Sequence, residues 1–169
     1  MVAKLEQVRD EFITEWGALG SAWGVNRTMA QIHAYLMSCP EAQTTDEIME
    51  SLEISRGNAH SNIKELISWG MIKKVLKKGE RKEFFLAEKD PWKIFCLVAK
   101  ERKKREVEPI IGILNNCIAD LKGVKGKEAD DFQKQLKDLT EFVEMGDRVM
   151  EKISRSEKNI LFKWLLKIL

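Results

Sequence analysis

The chain has 169 residues, of which 44% are hydrophobic and 33% are charged. This length and composition suit a compact domain with a helical extension and exclude a largely disordered chain, because enough apolar side chains are available to form a core. The net charge of +2 is too small to indicate a nucleic-acid partner by itself. Its distribution is more informative, since residues 55–82 carry eight Lys or Arg against two Glu.

The composition also argues against other classes of protein. Three cysteines in no paired spacing indicate neither a disulfide framework nor a zinc site. The N-terminal residues lack the apolar core of a signal peptide, and the apolar stretch 160–169 is shorter than the ~20 residues that a membrane span needs. We therefore expect a cytoplasmic protein with no stable membrane association, no metal and no cofactor.

Apolar residues at helical spacing predict two helices before residue 40. The first spans about residues 5–23, and Gly24 is suited to its end. Asn26 is suited to the N-cap of the second helix, and Pro40 lies just beyond its end. The apolar faces of the two helices contain Leu5, Val8, Phe12, Trp16, Leu19, Trp23, Met29, Ile32, Tyr35 and Leu36.

Two short helices joined by a tight turn are predicted next. Thr44 and Thr45 precede two acidic residues, which favours a helix start because acidic side chains stabilise the positive end of the helix dipole. Ser55 is suited to cap a second helix that runs to about Trp69, and Gly70 supplies its end.

Residues 71–86 change from the helical period to β-branched and aromatic residues on either side of a polar turn at Gly79, which predicts a β-hairpin. Its tip is basic, with Lys77, Lys78, Arg81 and Lys82. Two helices joined by a turn and followed by a basic hairpin are typical of a winged helix-turn-helix domain, in which the second helix of the pair enters the major groove of DNA and the hairpin is called the wing.

The C-terminal part is predicted to be helical. Asp90 and Pro91 favour the start of a long helix that reaches about Leu121, with a kink or break at Pro109. After a glycine-containing turn, alternating spacings of three and four predict a coiled-coil-like seam formed by Ala129, Phe132, Leu136, Leu139, Val143, Gly146, Met150 and Ile153.

The helix that begins at Ser55 has one apolar face, with Ala59, Ile63, Leu66 and Ile67, and one polar face suited to DNA. Asn and Ser side chains there can donate to and accept from base edges, and Lys or Arg can bind phosphate or guanine. We interpret His60 as exposed or phosphate-contacting, not catalytic, and Arg81 as the best candidate for the minor groove. The predicted DNA-contacting residues are Thr45, Ser55, Arg56, Asn58, Ser61, Lys64, Lys78, Arg81 and Lys82.

The segment ISRGNAHSNIKELISWGMIKKVLKKGERKEFF, with flanking residues from about 8 to 108, resembles the GbsR-like branch of the MarR superfamily of transcriptional regulators. The SRGN and GERKEFF pieces are the most specific. The resemblance implies a triangular dimer, held by N- and C-terminal helices, with one winged domain on each DNA half-site. It also implies DNA contacts at Ser55, Arg56, Asn58, Ser61, Lys64 and Arg81. Ala59 and His60 stand where the family commonly has an aliphatic residue after SRGN, which leaves the base preference open.

Fold and assembly follow from these patterns. We predict a mainly α fold with a small β-hairpin wing and long dimerisation helices: residues 1–25 for dimerisation, 26–90 for DNA binding and 91–169 for dimerisation. The apolar faces of the first and last helices are larger than one small winged domain covers, which favours a homodimer. The alternative is that these two helices pack on each other within one subunit.

A small-molecule effector is a further expectation. The resemblance makes an aromatic cage for a quaternary ammonium compound such as choline worth testing, with Trp16, Trp23, Tyr35 and Trp92 as its candidates. Aromatic side chains at helical spacing are more often part of a core. Ligand binding would act by tilting the long helices and changing the separation of the recognition helices.

Other functions are less well supported. The chain has two histidines and no phosphate-binding loop, metal spacing or nucleophile motif, so no enzyme is predicted. We interpret His33 as structural and the cluster from Lys100 to Arg105 as a solvated helix surface. The alternative function is a protein-interaction adaptor without specific DNA binding. Peripheral membrane contact through the basic, apolar segment 160–169 is a third hypothesis. We predict a regulator, more often a repressor in this family, that binds double-stranded DNA.

Overall fold

The structure is a computed structural model that describes the backbone of residues 2–158 and the side chains of residues 3–156. The predicted apolar segment 160–169 lies outside these residues. The fold is mainly helical and divides into two compact units, with the division between Asp90 and Pro91. None of the helices within the described part of the chain is both long and apolar enough to cross a membrane.

The first unit begins with two helices that pack closely on each other, α1 (Val2–Ala22) and α2 (Arg27–Ser38). The Asn26 side chain caps α2 by accepting a hydrogen bond from the Met29 amide at 3.1 Å, as the sequence predicts. Close packing depends on Gly20, because a Cβ atom there would lie 2.6 Å from the Cβ of Ala30. The missing side chain therefore allows the two backbones to approach.

The predicted helix pair is confirmed as α3 (Thr45–Leu52) and α4 (Arg56–Ser68). Thr44 and Glu47 form a reciprocal capping box at the start of α3, and these hydrogen bonds from the backbone and hydroxyl of Thr44 lower the pKa of Glu47. Ser55 caps α4 by accepting from the Asn58 amide at 3.3 Å. The tight turn between the helices includes Glu53 in the left-handed conformation, with φ of 52°.

A three-stranded antiparallel sheet completes the first unit. The predicted hairpin is confirmed as β2 (Ile72–Val75) and β3 (Phe84–Ala87), which pair with Ile72 opposite Ala87. A two-residue strand that the sequence pattern did not predict, β1 (Gln43–Thr44), pairs with the other edge of β3. Because Thr44 is also the N-cap of α3, β1 connects the turn end of β3 directly to the helix pair.

The core of the first unit lies between α2, α3, α4 and the sheet. Its most deeply buried apolar side chains include Met29, Ile32, Leu36, Ile48, Ala59 and Leu66. His33 lies in the same core with 1% of its surface exposed, and this burial lowers its pKa to about 4 against the opposing influence of Glu88. It is a structural histidine, as its position on α2 beside Ile32 predicts.

The second unit contains α5 (Pro91–Arg102), a π-helical segment (Lys103–Val107), α6 (Glu108–Asp120) and α7 (Lys127–Ser154), followed by a short 3₁₀ turn. The predicted break at Pro109 is real, but the irregular turn lies before the proline. Pro109 stands in the first turn of α6, directly after the π-helical segment, and cannot donate a backbone hydrogen bond to that segment.

Lys103 connects the π-helical segment to two helices of this unit. Its ammonium lies 3.0 Å from a Glu108 carboxylate oxygen, 3.1 Å from Asp147 and 3.5 Å from Glu151. The hydrogen bond to Glu108, followed by the interaction with Asp147, raises the pKa of Lys103. One member of the basic cluster predicted to be a solvated surface is thus mostly buried in an ion-pair network.

Helix α7 has two apolar faces, whereas the sequence predicts one seam. Leu136 is buried within the second unit, and Val143 is half-buried. Phe132 and Leu139, which belong to the same predicted seam, are instead half exposed. The second face is exposed and contains Phe132, Leu139, Phe142, Met145 and Val149.

Candidate nucleic-acid interface

The polar face of α4 is exposed along its first two turns. Ser55, Arg56, Asn58, Ser61 and Lys64 are all exposed, and Gly57 and His60 lie beside them. The opposite face packs into the core through Ala59, Asn62, Ile63 and Leu66. Ile67 was predicted on the packed face but is 40% exposed, because its position around the helix axis places it at the edge of the buried face of α4.

Asn58 is held by two neighbouring side chains. The Asn62 amide, which is buried, donates to the Asn58 side-chain oxygen at 2.7 Å. The Asn58 amide donates to the Thr28 hydroxyl on α2 at 3.5 Å. The oxygen and the nitrogen of the Asn58 side chain each make one hydrogen bond here, so the side chain can still accept one more and donate one more. Bidentate contact with an adenine edge requires one of each. Asn62 is not among the residues predicted from the sequence, although its position four residues after Asn58 places the two on adjacent turns of one helix face.

Asp46 lies between the start of α4 and the wing. One carboxylate oxygen accepts from Arg56 at 2.8 Å, and the other accepts from Lys82 at 3.4 Å. The hydrogen bonds from Lys82 and Arg56 lower the pKa of the Asp46 carboxyl. These residues surround an open cleft whose lining also includes Thr45 and His60.

The tip of the wing is a short basic turn, and aromatic side chains of β3 lie next to it. Lys78, Arg81 and Lys82 are exposed, and Gly79 has φ of 85°, which favours glycine at the turn. At the base of the turn, the Lys77 ammonium lies 4.2 Å from the centre of the Phe84 ring. The structure thus brings three of the predicted residues, Thr45, Arg56 and Lys82, together around the Asp46 cleft. The other predicted residues are exposed on α4 or on the wing but do not line this cleft.

The four aromatic residues predicted for an effector cage have different surroundings. Tyr35 is buried, and its hydroxyl donates to Gln43 at 3.0 Å. Trp16 packs against Phe12 on α1, and Trp23 is 57% exposed. Trp92 belongs to the second unit, where its indole nitrogen donates to a backbone carbonyl. The cage stays a prediction.

A capped helix pair with an exposed polar second helix, followed by an antiparallel hairpin with a basic tip, defines a winged helix-turn-helix protein of the DNA-binding transcription regulators. A solved structure of a transcriptional regulator superposes with a TM-score of 0.69 over 89% of this chain and 99% of its own, at 20% identity, and so supports the fold.

Sequence comparison gives the family. The chain is 30% identical over 126 residues to the HTH-type transcriptional repressor GbsR of Bacillus subtilis, covering 75% of this chain and 69% of that protein. It is 28% identical over 76 residues to the HTH-type transcriptional regulator MmpR5 of Mycobacterium tuberculosis, covering 44% and 46%. No family model matches. The chain belongs to the GbsR-like family of helix-turn-helix transcriptional regulators, as the sequence resemblance predicts.

Proposed function

We propose that the protein is a repressor that binds operator DNA as a homodimer, with α4 in the major groove and the wing on the backbone or in the minor groove. In this proposal residues 26–90 bind DNA, and residues 1–25 and 91–169 form the dimer. The observation that carries it is the exposed polar face of α4 beside the basic wing. The name of the Bacillus subtilis relative, a repressor, supports the direction of regulation.

The residues proposed to contact DNA divide by chemistry. Asn58 and Ser61 are placed to contact base edges, because amides and hydroxyls both donate and accept. Hydroxyl groups and cations around them are suited to phosphates, which fix the position of the protein on the duplex. The proposed phosphate and minor-groove contacts are Thr45, Ser55, Arg56, Lys64, Lys78, Arg81 and Lys82.

The experiment is fluorescence anisotropy with promoter fragments at two salt concentrations. We expect binding that weakens steeply with salt, because each phosphate contact releases counterions. An Arg56→Ala/Asn58→Ala/Arg81→Ala variant should lose most of this affinity. Its matched control is Lys134→Ala/Lys137→Ala, which also removes two positive charges but from the exposed polar face of α7. Equal, weak binding by wild type and the triple variant would refute the proposal and favour the adaptor function.

The homodimer is supported by apolar side chains that each unit leaves exposed. On α1, Leu5 and Val8 are more than half exposed, and with Phe12 and Met37 they line an apolar groove. On α7, the exposed apolar face from Phe132 to Val149 keeps the heptad-like spacing of a helix that pairs with another helix. A second copy of the chain has the same face, so a two-fold axis would bury both.

Leu139→Glu tests the dimer. A charge in the middle of the exposed apolar face of α7 should convert the dimer to a monomer in light scattering coupled to size exclusion, because a buried carboxylate without a partner is costly. Lys137→Gln is the matched control, since it changes the charge by the same amount on the polar face of the same helix. A monomeric wild type, or a dimer unaffected by Leu139→Glu, would refute this assignment of the interface.

A further inference from the structure

The carboxylate of Asp46 is the only acidic group paired with cations of the candidate nucleic-acid interface among the described residues. It binds Arg56 of α4 and Lys82 of the wing at once, through separate oxygens. In the same part of the chain, Lys64, Lys78 and Arg81 form no ion pair. Two of the five cations proposed to face DNA therefore share one carboxylate.

All three side chains remain accessible to a large anion. The exposed fractions of the side chains are 71% for Arg56, 51% for Asp46 and 61% for Lys82. Exposed ion pairs are weak, so a DNA phosphate that approaches the cleft can exchange with the carboxylate. The carboxylate stays near both cations after such an exchange, because the Asp46 backbone is fixed in the first turn of α3, whose N-cap Thr44 is held in the capping box.

We propose that Asp46 competes with DNA phosphates for Arg56 and Lys82, and so lowers the affinity of the protein for duplex DNA of any sequence. This inference rests on the proposed DNA-binding function and adds a residue whose role is to weaken binding. Affinity for DNA of arbitrary sequence comes almost entirely from phosphate contacts. A carboxylate that competes with phosphates for two cations therefore lowers this affinity.

The test is Asp46→Asn, which keeps the size of the side chain and removes its charge. We expect it to bind both a promoter fragment and an unrelated duplex about two- to fivefold more tightly at 0.1 M salt, the range that an exposed ion pair supports. The plot of log Kd against log salt should also steepen, by about 0.9 for each additional phosphate that the protein neutralises. Glu50→Gln is the matched control, because it removes one exposed negative charge from the same helix one turn later.

A second comparison shows whether Asp46 acts through the two cations. In an Arg56→Ala/Lys82→Ala background, Asp46→Asn should have no effect on affinity beyond that of Glu50→Gln. A tightening of equal size in both backgrounds would overturn the proposal, as would unchanged or weaker binding by Asp46→Asn with an unchanged melting temperature. If neither wild type nor Asp46→Asn binds any duplex in a salt-dependent way, the proposed DNA-binding function fails first and this inference with it.

Discussion

Burial of His33 makes the stability of the first unit depend on pH. The pKa of this imidazole is about 4 in the folded protein and 6.5 in an unfolded chain. Below pH 6.5 the unfolded state therefore binds a proton that the folded state does not, and stability falls as the pH falls. A base with this difference in pKa loses about 3 kcal/mol of folding free energy between the two values. Above pH 6.5 the imidazole is neutral in both states and contributes no slope.

Urea unfolding followed by circular dichroism, at a series of pH values from 7 down to 4, measures this effect. The comparison is His33→Gln, which keeps a polar side chain at the position but does not titrate. Other groups contribute equally to both proteins, so the difference between the two stability curves isolates His33. The wild type should lose stability more steeply than the variant as the pH falls. Parallel curves for the two proteins would refute the argument that burial keeps this histidine neutral.

Three further predictions concern packing and capping. Gly20→Ala should lower the free energy of unfolding by about 1–3 kcal/mol, because the new methyl group would clash with the Cβ of Ala30. Adding Ala30→Gly to this variant should restore part of the loss. Urea unfolding of the wild type, the single variant and the double variant measures both effects. Thr44→Ala should cost about 1 kcal/mol by removing the capping box with Glu47, and an unchanged unfolding midpoint would contradict it. Lys103→Met should destabilise the second unit by about 1–3 kcal/mol because it leaves the largely buried carboxylate of Asp147 without its cation, and faster hydrogen exchange in α7 would show it.

Most of the fold could be predicted because each element of the first unit carries its own local signal. Asn26, Ser55 and the Thr44 capping box mark helix starts by hydrogen bonds to backbone amides only three residues away. Such contacts depend on a few consecutive residues and are visible in the sequence. The β-branched and aromatic residues on either side of the turn at Gly79 are a local signal in the same sense.

The features that were missed depend on residues far apart in the chain. Strand β1 has two residues, too few for a period, and exists because Gln43 lies opposite Phe85 of β3. The ion pairs of Asp46 join residues 10 and 36 positions away. The predicted seam of α7 combines Leu136 of the buried face with Phe132 and Leu139 of the exposed face, because spacing alone does not show which residues meet the rest of the second unit. Pairing of this kind becomes visible only once the fold is known.

The π-helical segment Lys103–Val107 has a consequence for how the length of this region can change. A π turn contains one residue more than an α turn, so deletion of one residue there would restore regular α-helical hydrogen bonds. It would also turn all of α6 by about 100° around its axis relative to α5. Leu114, the buried side chain of α6, would then lie on a different side of the helix. The extra residue thus sets the rotation of α6 about its axis relative to α5. A one-residue deletion should therefore be tolerated far less well in the π-helical segment than at Gly123, which lies in the turn between α6 and α7.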